Sequence, residues 1–79
     1  MLFVEFPTFT RVLPTVMSDE EYRELQNLLI ERPDSGAVII GGGGIRKIRI
    51  GASGRGKRGG GRVIYFWAER RDPILMLYA

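Results

Sequence analysis

The chain has 79 residues, 44% of them hydrophobic, which is enough for one small domain with one modest core. It contains no cysteine, which excludes disulfides and thiolate zinc sites, and no histidine, which excludes a Ser-His-Asp triad and histidine-pair ribonuclease chemistry. Apolar runs are too short to span a membrane, and Met1 leads directly into an apparent strand rather than a signal peptide. We therefore expect a single domain over residues 1–79, located in the cytoplasm.

Charge is distributed unevenly along the chain. The net charge is only +3, but residues 46–71 hold nine cations and one acid, whereas the remainder holds three cations and eight acids. The nine cations are Arg46, Lys47, Arg49, Arg55, Lys57, Arg58, Arg62, Arg70 and Arg71. A cationic region of this kind is the electrostatic footprint expected of a protein that binds a polyanion.

The N-terminal part predicts a strand followed by a turn or a short helix. Leu2 to Phe6 alternates as a strand does. Pro7 to Met17 has some helical spacing, but Pro14 should break any longer helix. We expect this segment to pack on the sheet.

The clearest predicted element is a helix that begins after Ser18. Ser18 and Glu21 have the spacing of a capping box, which satisfies free backbone amides reciprocally. The apolar stripe that follows consists of Tyr22, Leu25, Leu28 and Leu29. Pro33 and Gly36 should end the helix. The acids at its start are interpreted as capping and solvated residues rather than catalytic ones.

The second half of the chain predicts strands separated by glycine-rich segments. Gly41 to Gly44 marks either a flexible turn or a close backbone approach. Ile45 to Ile50 is amphipathic, and Arg62 to Ala68 is apolar on both faces, so we expect the latter to be central in the sheet. Pro73 to Ala79 is a further strand. The fold class is therefore α+β: an antiparallel sheet with one or more N-terminal helices on one face, in the order β-α-(α)-β-β-β.

Two nucleotide-binding motifs occur in the glycine-rich segment between these strands. Residues 51–57 match GxxxxGK, with Arg58 where magnesium coordination requires Ser or Thr, and residues 54–59 match GxGxxG. Both motifs bind phosphate only when a helix follows, and here more glycines and a β-rich run follow. The sequence thus argues against nucleotide binding. It favours a hairpin loop whose Arg55, Lys57 and Arg58 bind a phosphate chain, and the alternative is a loop that is basic for solubility.

The strands beside this loop add further cations. Lys47 and Arg49 are two residues apart and therefore share a face. In one of two possible registers Arg62 lies opposite Arg49 while Ile48 lies opposite Val63; a slip of one residue would separate the arginines. Like charges placed opposite each other destabilise a sheet, which favours an anionic ligand over an ordinary basic face.

The segments IRKIRI, GRGKRGGGR and RVIYFW, leading into LMLYA, resemble the RelE/HigB toxins of bacterial type II toxin-antitoxin systems, most closely the HigB-like branch. The resemblance covers essentially the whole chain and is most specific over residues 43–67. It implies a metal-independent endoribonuclease, without a cofactor, that cleaves ribosome-bound mRNA, inhibits translation and is neutralised by a cognate antitoxin protein.

The resemblance also implies roles for individual residues. Lys47, Arg49 and Arg62 are the implied catalytic residues, which bind the scissile phosphate and assist attack by the ribose 2′-hydroxyl, with Lys47 as the candidate proton-transfer group. The charge pattern itself adds Arg46, Arg55, Lys57 and Arg58 as the predicted RNA-binding residues. Family members continue past the equivalent of Tyr78 and Ala79, so we expect a C-terminally truncated domain whose last strand is an unpaired apolar edge open to homo-oligomer formation. The alternative is a non-catalytic module that binds RNA or a protein.

Overall fold

The computed structural model describes residues 2–49, 61–68 and 73–79. Within these ranges the chain forms one mixed five-stranded sheet and two helices, an α+β fold as predicted. The elements are β1 (Phe3–Glu5), α1 (Pro7–Val16), α2 (Asp19–Glu31), β2 (Ala37–Val38), β3 (Ile45–Arg49), β4 (Arg62–Trp67) and β5 (Ile74–Tyr78).

The strand order is β1-β5-β4-β3-β2, which places β4 at the centre, as its apolar character predicts. Pairings among β2, β3, β4 and β5 are antiparallel, but β1 pairs parallel to β5, with Phe3 opposite Ile74. The expected all-antiparallel sheet is therefore wrong at this one pairing. The expected unpaired edge at the last strand is also wrong, because β5 bonds to β4 on one side and to β1 on the other.

Helix α1 differs from the prediction because Pro14 lies inside it. Pro7 occupies the first turn, where its fixed φ suits a helix start and its missing N–H costs nothing. Pro14 deprives the Thr10 carbonyl of its usual donor. The helix nevertheless continues to Val16, because Phe9 is fully buried and Leu13 packs against the core beside it. Packing thus outweighs the local penalty.

Helix α2 begins as predicted. The Glu21 amide donates to Ser18 Oγ at 3.1 Å, and the Ser18 amide donates to Glu21 Oε1 at 2.8 Å. Leu25 and Leu29 are buried, whereas Leu28 is 40% exposed. A step of about 100° per residue places Leu28 at the margin of the apolar stripe rather than at its centre.

Both helices cover the same face of the sheet. The buried side chains of the helices, and of Met17 between them, meet those of β4 and β5 in one core, which consists of Phe9, Met17, Leu25, Leu29, Val63, Tyr65, Ile74 and Met76. Because side chains alternate along a strand, Arg62, Ile64 and Phe66 point to the opposite side. We call this side of the sheet the open face, since the buried side chains of α1 and α2 pack on the other side.

The glycines at 41–44 form the turn between β2 and β3. Gly41, Gly43 and Gly44 have positive φ, and a Cβ on Gly44 would lie 2.9 Å from Cε1 of Phe66. The segment is therefore both a turn and a place of close approach. It positions β2, a strand that the sequence did not predict, so that Ala37 lies opposite Lys47.

Candidate nucleic-acid interface

Arg49 and Arg62 are direct cross-strand partners on the open face. The structure has the register in which Ile48 lies opposite Val63 and Arg49 lies opposite Arg62. Antiparallel partners have Cα atoms about 4.5 to 5.5 Å apart, so the two side chains leave the sheet side by side. Like charges in this position cost stability, on the order of a few tenths of a kcal/mol.

Lys47 extends this pair into a cluster of three cations. It precedes Arg49 by two residues, shares its face, and lies between Ala37 on β2 and Ile64 on β4. Lys47, Arg49 and Arg62 are all exposed. Among the described residues no carboxylate forms an ion pair with any of the three. We call them the cationic cluster; its charge is uncompensated within the described part of the chain.

Two depressions open beside the arginine pair. One, of about 440 Å³, lies toward β2 and is lined by Ser35, Ala37, Lys47, Ile48, Arg49 and Arg62. The other, of about 530 Å³, lies toward β5 and is lined by Val16, Arg49, Gly61, Arg62, Ile64, Tyr78 and Ala79. Both volumes lie in the range of small-molecule sites. Since both arginines line both depressions, an anion held by the pair would have room for a substituent on either side.

Arg46 lies apart from the cationic cluster. Its cross-strand partner is Tyr65, which is buried under the helices. Its Nη1 donates to the carbonyl oxygens of Gly36 at 2.8 Å and Asp34 at 3.2 Å. Its guanidinium also lies 5.7 Å from the ring centroid of Trp67, a cation–π distance. The structure thus gives Arg46 a role in holding the loop after α2 and separates it from the other strand cations predicted to meet RNA.

Tyr65 also holds the loop after α2, from the helix side of the sheet. Its hydroxyl donates to the Pro33 carbonyl at 2.8 Å and accepts from the Gly36 amide at 2.9 Å. Burial raises the pKa of Tyr65, so the hydroxyl remains a donor. Gly36 allows this contact, because a Cβ there would lie 2.8 Å from the tyrosine ring. The loop held in this way supplies Ser35 to the first depression.

Sequence reasoning missed two polar side chains that line the depressions, those of Ser35 and Tyr78. Ser35 follows a helix stop and shows no pattern of its own. Tyr78 belongs to an apolar strand in which simple alternation places it in the core beside Met76. The predicted loop cations Arg55, Lys57 and Arg58 lie outside the described residues.

The described residues contain no group of three or more His, Cys, Asp or Glu side chains arranged to hold a metal ion. None of the helices in the described ranges is long and apolar enough to cross a membrane. No protein-family model matches the chain. The site is therefore defined by its own geometry: paired guanidinium groups and one ammonium group on an uncovered sheet face.

Proposed function

We propose that this protein is an RNA-binding endoribonuclease of the type II toxin class that acts on ribosome-bound mRNA without a metal ion. The observation that carries the proposal is the direct opposition of Arg49 and Arg62, with Lys47 on the same face. Opposed cations cost the sheet stability, and no acid among the described residues pairs with them. They are therefore available to bind the oxygens of a phosphate group.

The arrangement suits cleavage of RNA by its own 2′-hydroxyl. Guanidinium groups can bind non-bridging phosphate oxygens in a bidentate manner, and Arg49 and Arg62 would stabilise the charge that develops there. The 2′-oxygen attacks phosphorus, the bond to the 5′-oxygen breaks, and a 2′,3′-cyclic phosphate and a 5′-hydroxyl result. Lys47, as an ammonium group, would donate a proton to the leaving 5′-oxygen, while the 2′-hydroxyl proton passes to solvent.

This activity implies both a location and a partner. Ribosome-bound message is in the cytoplasm, so the protein would act there. An antitoxin that neutralises it would cover the cationic cluster, and an acidic segment would match the charge of Lys47, Arg49 and Arg62.

A second candidate is a module that binds RNA without cleaving it. The exposure of all three cations favours this alternative, because a charge-stabilising donor acts most strongly where water is excluded. Binding requires only the charge and the exposed face, whereas cleavage also requires in-line geometry at the phosphate.

Arg62→Ala separates the two candidates. Arg62 is exposed, so the substitution should leave the fold nearly intact, while loss of one charge-stabilising donor should reduce cleavage about 100- to 1000-fold. Arg62→Lys should restore only part of the rate, because an ammonium group cannot make a bidentate contact. Arg23→Ala, at an exposed position of α2, is the matched control and should cleave normally.

The measurement is primer extension on message in a translating ribosome preparation. Cleavage by Arg62→Ala at the unmodified rate would show that the catalytic assignment is wrong. If the unmodified protein binds RNA but leaves the message intact, the non-catalytic module is the correct reading.

A further inference from the structure

Strand β5 contains an irregularity that changes the direction of Tyr78. Ile74 and Met76 are fully buried under the helices, so simple alternation would place Tyr78 under them as well. Instead, Tyr65 lies opposite Met76 while its neighbour Ile64 lies opposite Tyr78, which leaves Leu77 as one extra residue. This is the pattern of a β-bulge, and bulges redirect side chains.

The bulge transfers Tyr78 to the open face. Its partner Ile64 lies between Val63 and Tyr65, which both point into the core, and so Ile64 points away from the helices. Tyr78 is 50% exposed, in contrast to the fully buried Met76 two residues earlier. Its side chain has no hydrogen bond among the described residues, so no polar contact there explains its position.

Tyr78 is also a close neighbour of the arginine pair. It lines the depression of about 530 Å³ together with Arg49, Arg62 and Ile64. Because Ile64 is two residues from Arg62 along β4, Tyr78 and Arg62 are diagonal cross-strand neighbours. Such positions are about 7 to 8 Å apart, within reach of an aromatic side chain and a long one.

We propose that Tyr78 is a stacking platform for a nucleobase of single-stranded RNA, next to the phosphate bound by Arg49 and Arg62. This inference rests on the proposed RNA-binding function and specifies where the base of the bound nucleotide lies relative to its phosphate. Proteins that bind single strands commonly combine cations for the backbone with exposed aromatic rings for the bases. A single sugar joins a base to its phosphate, so one nucleotide would place the two groups over these neighbouring positions.

The test compares two single-stranded RNA hexanucleotides whose sugars are 2′-O-methylated and therefore lack the attacking hydroxyl, so that they cannot be cleaved. One contains 2-aminopurine at a central position among ordinary bases, and the other has the same phosphates but abasic sugars at its central positions. The unmodified protein should bind the first more tightly and quench its 2-aminopurine fluorescence. Tyr78→Leu should weaken that binding about 5- to 150-fold and abolish the quenching, whereas its affinity for the abasic strand should be unchanged. Tyr78→Phe keeps the ring and should behave like the unmodified protein.

The outcomes distinguish this inference from the function on which it rests. Equal binding of both strands by the unmodified protein, or unchanged binding of the 2-aminopurine strand by Tyr78→Leu, overturns base stacking but leaves phosphate binding in place. Arg62→Ala should lose affinity for both strands. If the unmodified protein binds neither strand, the proposed RNA-binding function fails, and stacking fails with it.

Discussion

Arg46 on β3 lies directly opposite Tyr65 on β4, and the two side chains hold the same short loop after α2. Arg46 donates to the Gly36 and Asp34 carbonyls, while the Tyr65 hydroxyl bonds to the Pro33 carbonyl and the Gly36 amide. Both lie on the helix side of the sheet. The next residue, Lys47, points to the open face. Of these two adjacent cations, Arg46 therefore stabilises the loop after α2, whereas Lys47 belongs to the cationic cluster.

Arg46→Ala should therefore destabilise the protein. The substitution removes two hydrogen bonds from a charged donor and a contact with the Trp67 ring, and we expect a loss of about 1.5 to 3 kcal/mol in the free energy of unfolding. The measurement is urea denaturation. Lys47→Ala, one residue away on the open face, is the control and should change stability by less than about 0.5 kcal/mol. Equal losses of stability in the two variants would contradict a structural role that belongs to Arg46 and not to Lys47.

Stability should also fall in alkaline solution. Burial raises the pKa of Tyr65, and burial together with a hydrogen bond to Glu5 raises the pKa of Tyr22. In the unfolded chain both groups ionise near their ordinary pKa of about 10. Above that pH the unfolded state loses protons that the folded state keeps, so the free energy of unfolding decreases as pH rises.

The contribution of Tyr22 to this decrease can be isolated. Tyr22 donates to Glu5 Oε2 at 2.8 Å, and Tyr22→Phe removes that ionisable hydroxyl. Urea denaturation at several pH values from about 8 to 11 should give a shallower alkaline decrease for Tyr22→Phe than for the unmodified protein. Identical slopes would show that Tyr22 does not contribute to the pH dependence.

The turn between β2 and β3 gives a matched pair of glycine substitutions. Gly43 and Gly44 both have positive φ, but only at Gly44 would a Cβ meet another side chain, at 2.9 Å from the Phe66 ring. Gly43→Ala should cost about 1 kcal/mol through backbone strain alone. Gly44→Ala should cost more, because Phe66 or the turn must also shift. Thermal unfolding of both variants checks the order, and the reverse order would contradict the close approach.

Local features of the sequence predicted much of the fold. Ser18 and Glu21 form the predicted capping box, and the apolar β4 is central. These predictions succeeded because each depends on a few neighbouring residues. Pro14 does not end α1 as predicted, because its local penalty is outweighed by contacts of Phe9 and Leu13 with distant strands.

The arrangement of the candidate site depends on relations that the sequence leaves open. Alternation placed Lys47 and Arg49 on one face, but only strand pairing could show that Arg62 lies opposite Arg49 rather than one residue away. The bulge that turns Tyr78 outward follows no local signal, since Leu77 resembles its apolar neighbours. Likewise, the sequence does not distinguish Arg46 from the neighbouring cations, because its structural role depends on contacts with the distant carbonyls of Asp34 and Gly36.

The arginine pair leads to a prediction in which stability and binding change in opposite directions. Arg49→Thr removes one of two like charges that lie opposite each other and introduces a residue that favours strands. The free energy of unfolding should therefore rise by about 0.2 to 1 kcal/mol. The same substitution should weaken binding of single-stranded RNA. It should also reduce the slope of log affinity against log salt by about 0.7, the value for one lost phosphate contact.

The control for both measurements is Arg23→Ala on α2, which should leave the salt slope unchanged because this exposed position lies outside the cationic cluster. An ordinary basic surface would give a different pattern: Arg49→Thr and Arg23→Ala would then affect RNA binding equally. Reduced stability of Arg49→Thr would mean that Arg49 supports the fold. A more stable variant that binds RNA less well, with a shallower salt slope, is the result expected if the opposed arginines serve a phosphate ligand rather than the sheet.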